Sequence, residues 1–284
     1  RGAIATIDCV SARRCVGLWM KNRISIFAKG NVDVHDSLHS CVIGGQLHWN
    51  GINDILRKRY PGTLIRLKHE TFVRSDALLA ATGEVPNELA NREVPLGPYP
   101  APMQFSTAIF DFKADVYVLS MMPDIATCPL RHKQTGFMFY PNDVTAWPAP
   151  DRDWLRSEFE SLPLMDVQTS IANTERVIDK IREKSEAPIL IYNMSPIVPG
   201  PIVHCLAGLD ETFAMRIRRF NLALAELSER TGISIIDVDE ILARAGADAL
   251  KVDAMHLAPD AYRLIAEEVV RVLEDLYVIE PPVS

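Results

Sequence analysis

The sequence predicts an α/β fold, one large domain organised around a mostly parallel sheet. Short apolar runs alternate with segments of helical periodicity, the pattern of repeated βαβ units. The 284 residues exceed a usual single domain without reaching two. Their 48% apolar and 24% charged composition is that of a globular chain with material for a sizeable core. The surplus length is concentrated in two proline-rich stretches rather than in a second set of strands.

Taken in order, residues 1–22 are basic and mildly apolar but lack a continuous apolar h-region and a clear A-x-A cleavage site following one, so they are expected to be an N-terminal extension rather than a signal peptide. Five apolar runs qualify as buried strands: 23–28 (RISIFA), 63–68 (TLIRLK), 115–121 (DVYVLSM), 188–193 (PILIYN) and 232–238 (GISIIDV). Amphipathic segments near 50–60, 72–82, 166–184, 211–230 and 259–276 are the expected helices. In the last, Tyr262, Ile265, Ala266, Val269, Val270 and Leu273 form one apolar stripe at helical period, opposite a solvated face of Glu267, Glu268, Arg271 and Glu274. Between Gly83 and Pro150 lie ten of the 19 prolines, interrupted only by the third strand. These stretches are expected to be long ordered loops or lids, because proline fixes φ and removes a donor. Phe137, Phe139, Tyr140, Trp147 and Trp154 in the second stretch either cap a pocket or seal the loop onto the core. The division expected is an extension over 1–22 and a single domain over 23–279 with insertions at about 83–107 and 125–164.

Several function classes are disfavoured by composition. With 37 acidic and 30 basic residues the net charge is −7, so no basic field exists to hold a phosphate backbone, and nucleic acid is not an expected partner. No run of about 18 uncharged apolar residues occurs, so no transmembrane helix is expected. Five widely spaced cysteines without C-x-x-C read as reduced thiols of a cytoplasmic protein. Neither G-x-G-x-x-G nor G-x-x-x-x-G-K-[ST] appears, so no nucleotide cradle is expected.

In an open parallel sheet, ligands gather at the carboxyl ends of the strands. The first strand leads into the most polar loop of the chain, Lys29 to Ser40. The third ends at Met121-Met122-Pro123-Asp124 and the fourth at Asn193-Met194-Ser195-Pro196. Asp253-Ala254-Met255-His256 precedes the last helix. A D-x-x-H pair in that position lets the carboxylate fix the imidazole tautomer while the other ring nitrogen faces outward. His35 and His39 stand at i and i+4 and, with Asp33 or Asp36, offer a divalent-metal reading, although no H-E-x-x-H is present. His69-Glu70 after the second strand is a further polar pair at this edge.

Asp253-Ala254-Met255-His256-Leu257-Ala258-Pro259, followed by Tyr262 and an apolar helix, resembles the last block of the SGNH (GDSL-type) hydrolase superfamily. The likeness extends over 210–276. That family's first block is a Gly-Asp-Ser-Leu turn after the first strand, and His35-Asp36-Ser37-Leu38 matches three of its four residues. The resemblance therefore implies Ser37 as nucleophile, His256 as base and Asp253 as its orienting carboxylate. It further implies a flavodoxin-like three-layer sandwich with a five-stranded parallel sheet of order 2-1-3-4-5, no cofactor, and a small-molecule ester substrate, including acyl groups on sugars. Two departures stand beside it. Gly30-Asn31-Val32 occupies the position of the expected turn, and if it is the true equivalent the nucleophile is missing; Asp36 and Ser37 would then do no more than cap a helix. The Gly and Gly-x-Asn blocks of the oxyanion hole are also not evident, leaving Asn31, Asn193, Asp124, His35 and backbone N–H groups near Ser37 as candidate oxyanion or substrate contacts. The readings are a Ser-His-Asp esterase, a catalytically degenerate binding protein on the same fold and, third, a metal-dependent hydrolase using His35 and His39.

Overall fold

The computed structural model describes residues 23–39, 41–43, 46–49, 51–199 and 210–279. The N-terminal stretch, Cys9, Cys15, Cys205 and the side chain of Cys41 lie outside them. The core is a five-stranded sheet of β1 (Arg23–Lys29), β2 (Leu64–Glu70), β3 (Val116–Ser120), β4 (Ile189–Tyr192) and β5 (Ser234–Ile236). All pairings are parallel and the spatial order is β2-β1-β3-β4-β5, the expected doubly wound arrangement.

Two helical layers cover the sheet, and the alternation of side chains along the strands decides which layer each one meets. Ile24, Ile26 and Ala28 of β1, Val116 and Val118 of β3 and Leu190 and Tyr192 of β4 face one cluster. It is closed by α1 (Val32–Leu38), α2 (Ile52–Arg59) and the final helix. Phe27, Tyr117, Leu119, Ile189 and Ile191 face the other, closed by α3 (Ser75–Ala80) and two long helices, α4 (Val167–Arg182) and α5 (Phe213–Thr231). Asp166 caps α4 by accepting from Thr169 N at 2.9 Å, Thr212 caps α5, and Gly232 ends α5 at φ 67°, a conformation that glycine adopts without strain. After β5, Asp237 caps α6 (Val238–Ala245). The last helix, α7 (Pro259–Asp275), buries the whole predicted stripe from Tyr262 to Leu273.

Three local features differ from the sequence expectation. The polar loop after β1 is helical: α1 begins at Val32, only three residues past the strand. Gly30 permits this, because a Cβ there would lie 2.5 Å from Val34 Cγ2. The second insertion is not a bare loop but a small antiparallel sheet (Leu130–His132 between Met138–Phe139 and Phe159–Ser161) with a helix over Ala149–Glu158. The two insertions also pack on each other. Leu89, Leu96 and Phe105 from the first and Phe139, Trp147, Leu155 and Phe159 from the second form a third apolar cluster, with Phe137 and Trp154 packed against it. The aromatics therefore seal the insertions together. Among the described residues no helix is long and apolar enough to cross a membrane, and Cys128 is a free, exposed thiol.

Candidate active site

The D-x-x-H pair is formed as the spacing requires. His256 Nδ1 lies 2.8 Å from Asp253 Oδ2. Asp253 Oδ1 accepts from Met255 N at 2.7 Å and His256 N at 2.8 Å, so the carboxylate is fixed by its own turn. Burial alone would raise the Asp253 carboxyl, but the N–H groups of His256 and Met255 and the adjacent imidazole outweigh it and hold the group below its ordinary value. About half of each side chain is exposed, 56% for His256 and 50% for Asp253, and Nε2 is left for a reacting group. Nδ1–H donated to the carboxylate makes Nε2 the lone-pair nitrogen.

Ser37 is not presented to this pair as an accessible nucleophile, which corrects the assignment implied by the Gly-Asp-Ser-Leu likeness. Because α1 starts at Val32, Ser37 falls more than a turn into the helix, on the face it shares with Asp33, Val34 and Leu38, and it is 0% exposed. Its Oγ donates to Val34 O at 3.1 Å and shares a hydrogen bond with Tyr192 OH at 3.1 Å. Tyr192 is itself 0% exposed. A hydroxyl closed in by its own helix and a buried tyrosine has neither solvent nor room for an acyl group. Gly30-Asn31-Val32 forms the strand-to-helix turn instead, and Val32, with Ala254 and Met255 from the His256 loop, packs on one apolar cluster. The signal was in the sequence: these three residues directly follow the strand.

The expected oxyanion contacts are mostly committed elsewhere. Asn193 Nδ2 donates to Asp237 Oδ1 at 2.8 Å and its Oδ1 accepts from Asp239 N at 3.2 Å, tying β4 to the start of α6. Asp124 is 2% exposed and filled by Ser75 and Ser170, so it is an internal brace and not a substrate contact. Asn31 Oδ1 accepts from Phe72 N at 3.2 Å, linking the ends of β1 and β2. The adjacent Asp33, buried, bonds Ser120 Oγ and Asn31 N and fastens α1 to β3.

His35, His39 and His69 gather beside this turn, with ring centroids 4.8, 5.2 and 6.2 Å apart. His35 Nδ1 lies 2.7 Å from Asp36 Oδ1, and His69 Nε2 donates to Gly30 O at 2.9 Å. Among the described residues no group of three or more His, Cys, Asp and Glu side chains is arranged to hold a metal ion. Asp33 and Asp36, the carboxylates of the metal reading, are engaged by Ser120 and by His35.

The cluster has a consequence for stability. Burial and the neighbouring His35 push His69 down to about 4 from 6.5. A histidine depressed in the folded state stabilises fully above its unfolded value. That contribution is lost as pH falls from about 6.5 toward 4, because the unfolded chain then binds the proton more tightly. The loss is expected to reach at most about 3 kcal/mol. Denaturant titrations across this window check it: His69→Gln is expected to flatten the pH dependence, and an unchanged slope would assign the acid sensitivity elsewhere.

No family model and no curated protein matches the chain. Among solved structures, the chain is similar to a protein from Slackia heliotrinireducens described as a candidate SGNH hydrolase (14% identity, 88% of this chain and 99% of that one, TM-score 0.47). It is similar to a member of the lipolytic G-D-S-L family from Veillonella parvula (13%, 87% and 97%, 0.44). It is also similar to an acetylxylan esterase from Geobacillus stearothermophilus (11%, 87% and 93%, 0.47).

Proposed function

We propose that the chain hydrolyses a small acyl ester, with His256 as general base and Asp253 as the carboxylate that orients it. The observation that carries this reading is the Asp253–His256 pair itself: a rigidly held carboxylate 2.8 Å from Nδ1 and an exposed imidazole whose Nε2 is open. In this reading water takes the place of a serine. His256 Nε2 removes a proton from water as its oxygen adds to the ester carbonyl. The imidazolium then returns that proton to the departing alkoxide, and acid and alcohol leave. The SGNH likeness supports a short acyl group, including one carried on a sugar. A positioned general base contributes about 10²- to 10⁴-fold.

A second reading, a binding protein without turnover, is favoured by Val32 at the turn where the SGNH pattern carries its serine. The two are separated with p-nitrophenyl acetate and a fluorophosphonate probe. Hydrolysis above buffer that falls at least about 10²-fold in His256→Ala, yet persists in folded Ser37→Ala, supports the water-based reading. No turnover by folded wild-type protein supports the binder. Fluorophosphonate labelling that disappears in Ser37→Ala would overturn both and restore an acyl-serine route.

A further inference from the structure

Lys251 stands at the base of the loop that carries Asp253 and His256 and is 6% exposed. It bridges Leu257 in antiparallel fashion, and Val252 N donates to His256 O at 2.9 Å, so the loop is closed at its neck. Lys251 Nζ donates to Ser195 O at 2.9 Å and to Ala254 O at 3.2 Å. Ser195 belongs to the segment leaving β4, and Ala254 lies between Asp253 and His256. One buried amine therefore joins the sheet edge to the middle of the D-x-x-H loop. The charged groups that face it are Asp253 from its own loop and Asp239 from α6. Asp239 in turn faces Asp237, Arg218 and the Ser195 hydroxyl.

We propose that Lys251 is a positioning residue for His256: its ammonium holds the Ala254 carbonyl, and with it the D-x-x-H loop, against the end of β4. The inference rests on His256 acting as a base. Burial lowers Lys251 to about 8 while Asp253 and Asp239 pull it back up, so most of it is charged at neutral pH.

The test uses the full chain with Lys251→Met, Lys251→Gln and Lys251→Arg, following the His256 ring ¹H and ¹⁵N resonances by NMR at neutral pH alongside p-nitrophenyl acetate kinetics. Loss of both donated hydrogen bonds in Lys251→Met is expected to move the His256 ring resonances away from their wild-type positions. kcat is expected to fall by about tenfold or more with KM little changed, the signature of a misplaced base beside intact substrate binding. Lys251→Arg, which keeps charged N–H donors, should return both readouts toward wild type. Lys251→Gln serves if Lys251→Met does not fold, and a smaller displacement of the same resonances is expected from its shorter donor. A lowered melting temperature with unmoved His256 resonances in both neutral variants would overturn the proposal and leave Lys251 a structural pin. The resonances do not depend on turnover, so a chain that hydrolyses nothing would fail the hydrolase reading while still deciding this one.

Discussion

Asp253→Asn is expected to lower kcat/KM for a short acyl ester by about 10²- to 10⁴-fold with little change in melting temperature. The carboxylate has two tasks, and asparagine separates them. Oδ1 accepts from Met255 N and His256 N and so builds the turn; an amide oxygen can take over that task. Oδ2 accepts from His256 Nδ1, and there the amide offers N–H instead. The ring must then turn its Nδ1 lone pair inward and carry its proton on Nε2, so the nitrogen facing the reacting group loses its lone pair. Asp253→Ala removes both tasks and should cost loop order as well as activity. The decisive measurements are kcat/KM for both variants and the His256 tautomer from ¹⁵N shifts. Wild-type kcat/KM in folded Asp253→Asn would sink the role given to this pair.

This pair is legible in the sequence because its contact is local: three residues apart in the loop before a helix, the two side chains are brought together by the turn they share. The strands are legible because both faces of a central parallel strand are buried, leaving near-continuous apolar runs such as those ending in Ala28 and Tyr192. Helix α1 is hidden because its inward face carries Asp33 and Ser37, polar groups whose partners, Ser120 and Tyr192, come from strands far along the chain. Hydropathy reads such residues as loop. Prolines mislead for a related reason. Pro102, Pro123 and Pro150 read as breakers, yet each sits in the first turn of a helix, where the missing N–H has no partner to lose. The nucleophile position depends on where β1 ends and α1 begins, and a shift of that boundary moves Ser37 from an expected turn to the interior.

Asp124→Leu is expected to destabilise the fold by about 3–5 kcal/mol, a large share of the roughly 5–15 kcal/mol that holds a domain folded. Asp124 sits in the short helix after β3 and accepts from Ser75 N at 2.7 Å, Ser75 Oγ at 2.6 Å and Ser170 Oγ at 2.6 Å. Three elements meet at one carboxylate: the exit of β3, the start of α3 and the first turn of α4. Burial raises this carboxyl, and the hydrogen bonds from Ser170 and Ser75 work against that rise, so the donors compensate part of the desolvation. Leucine fills the volume but leaves the Ser75 N–H and the Ser170 hydroxyl without acceptors in the interior and the Ser75 hydroxyl with only the weak Met165 sulfur at 3.6 Å, and unmade buried hydrogen bonds carry the full desolvation penalty of each group. Asp124→Asn keeps one acceptor and turns an amide N–H₂ toward a donor, so a smaller loss is expected. The triple change Asp124→Leu, Ser75→Ala, Ser170→Ala removes the stranded hydroxyls and should recover part of the stability, a non-additivity that a simple loss of packing would not produce. Asp111→Asn, which breaks an exposed pair with Lys184, serves as the control and should leave the denaturation midpoint unchanged. Equilibrium denaturation of the four variants decides the matter. If Asp124→Leu unfolds no more easily than the Asp111 control, Asp124 is not the brace described, and a role for it nearer the chemistry would have to be reopened.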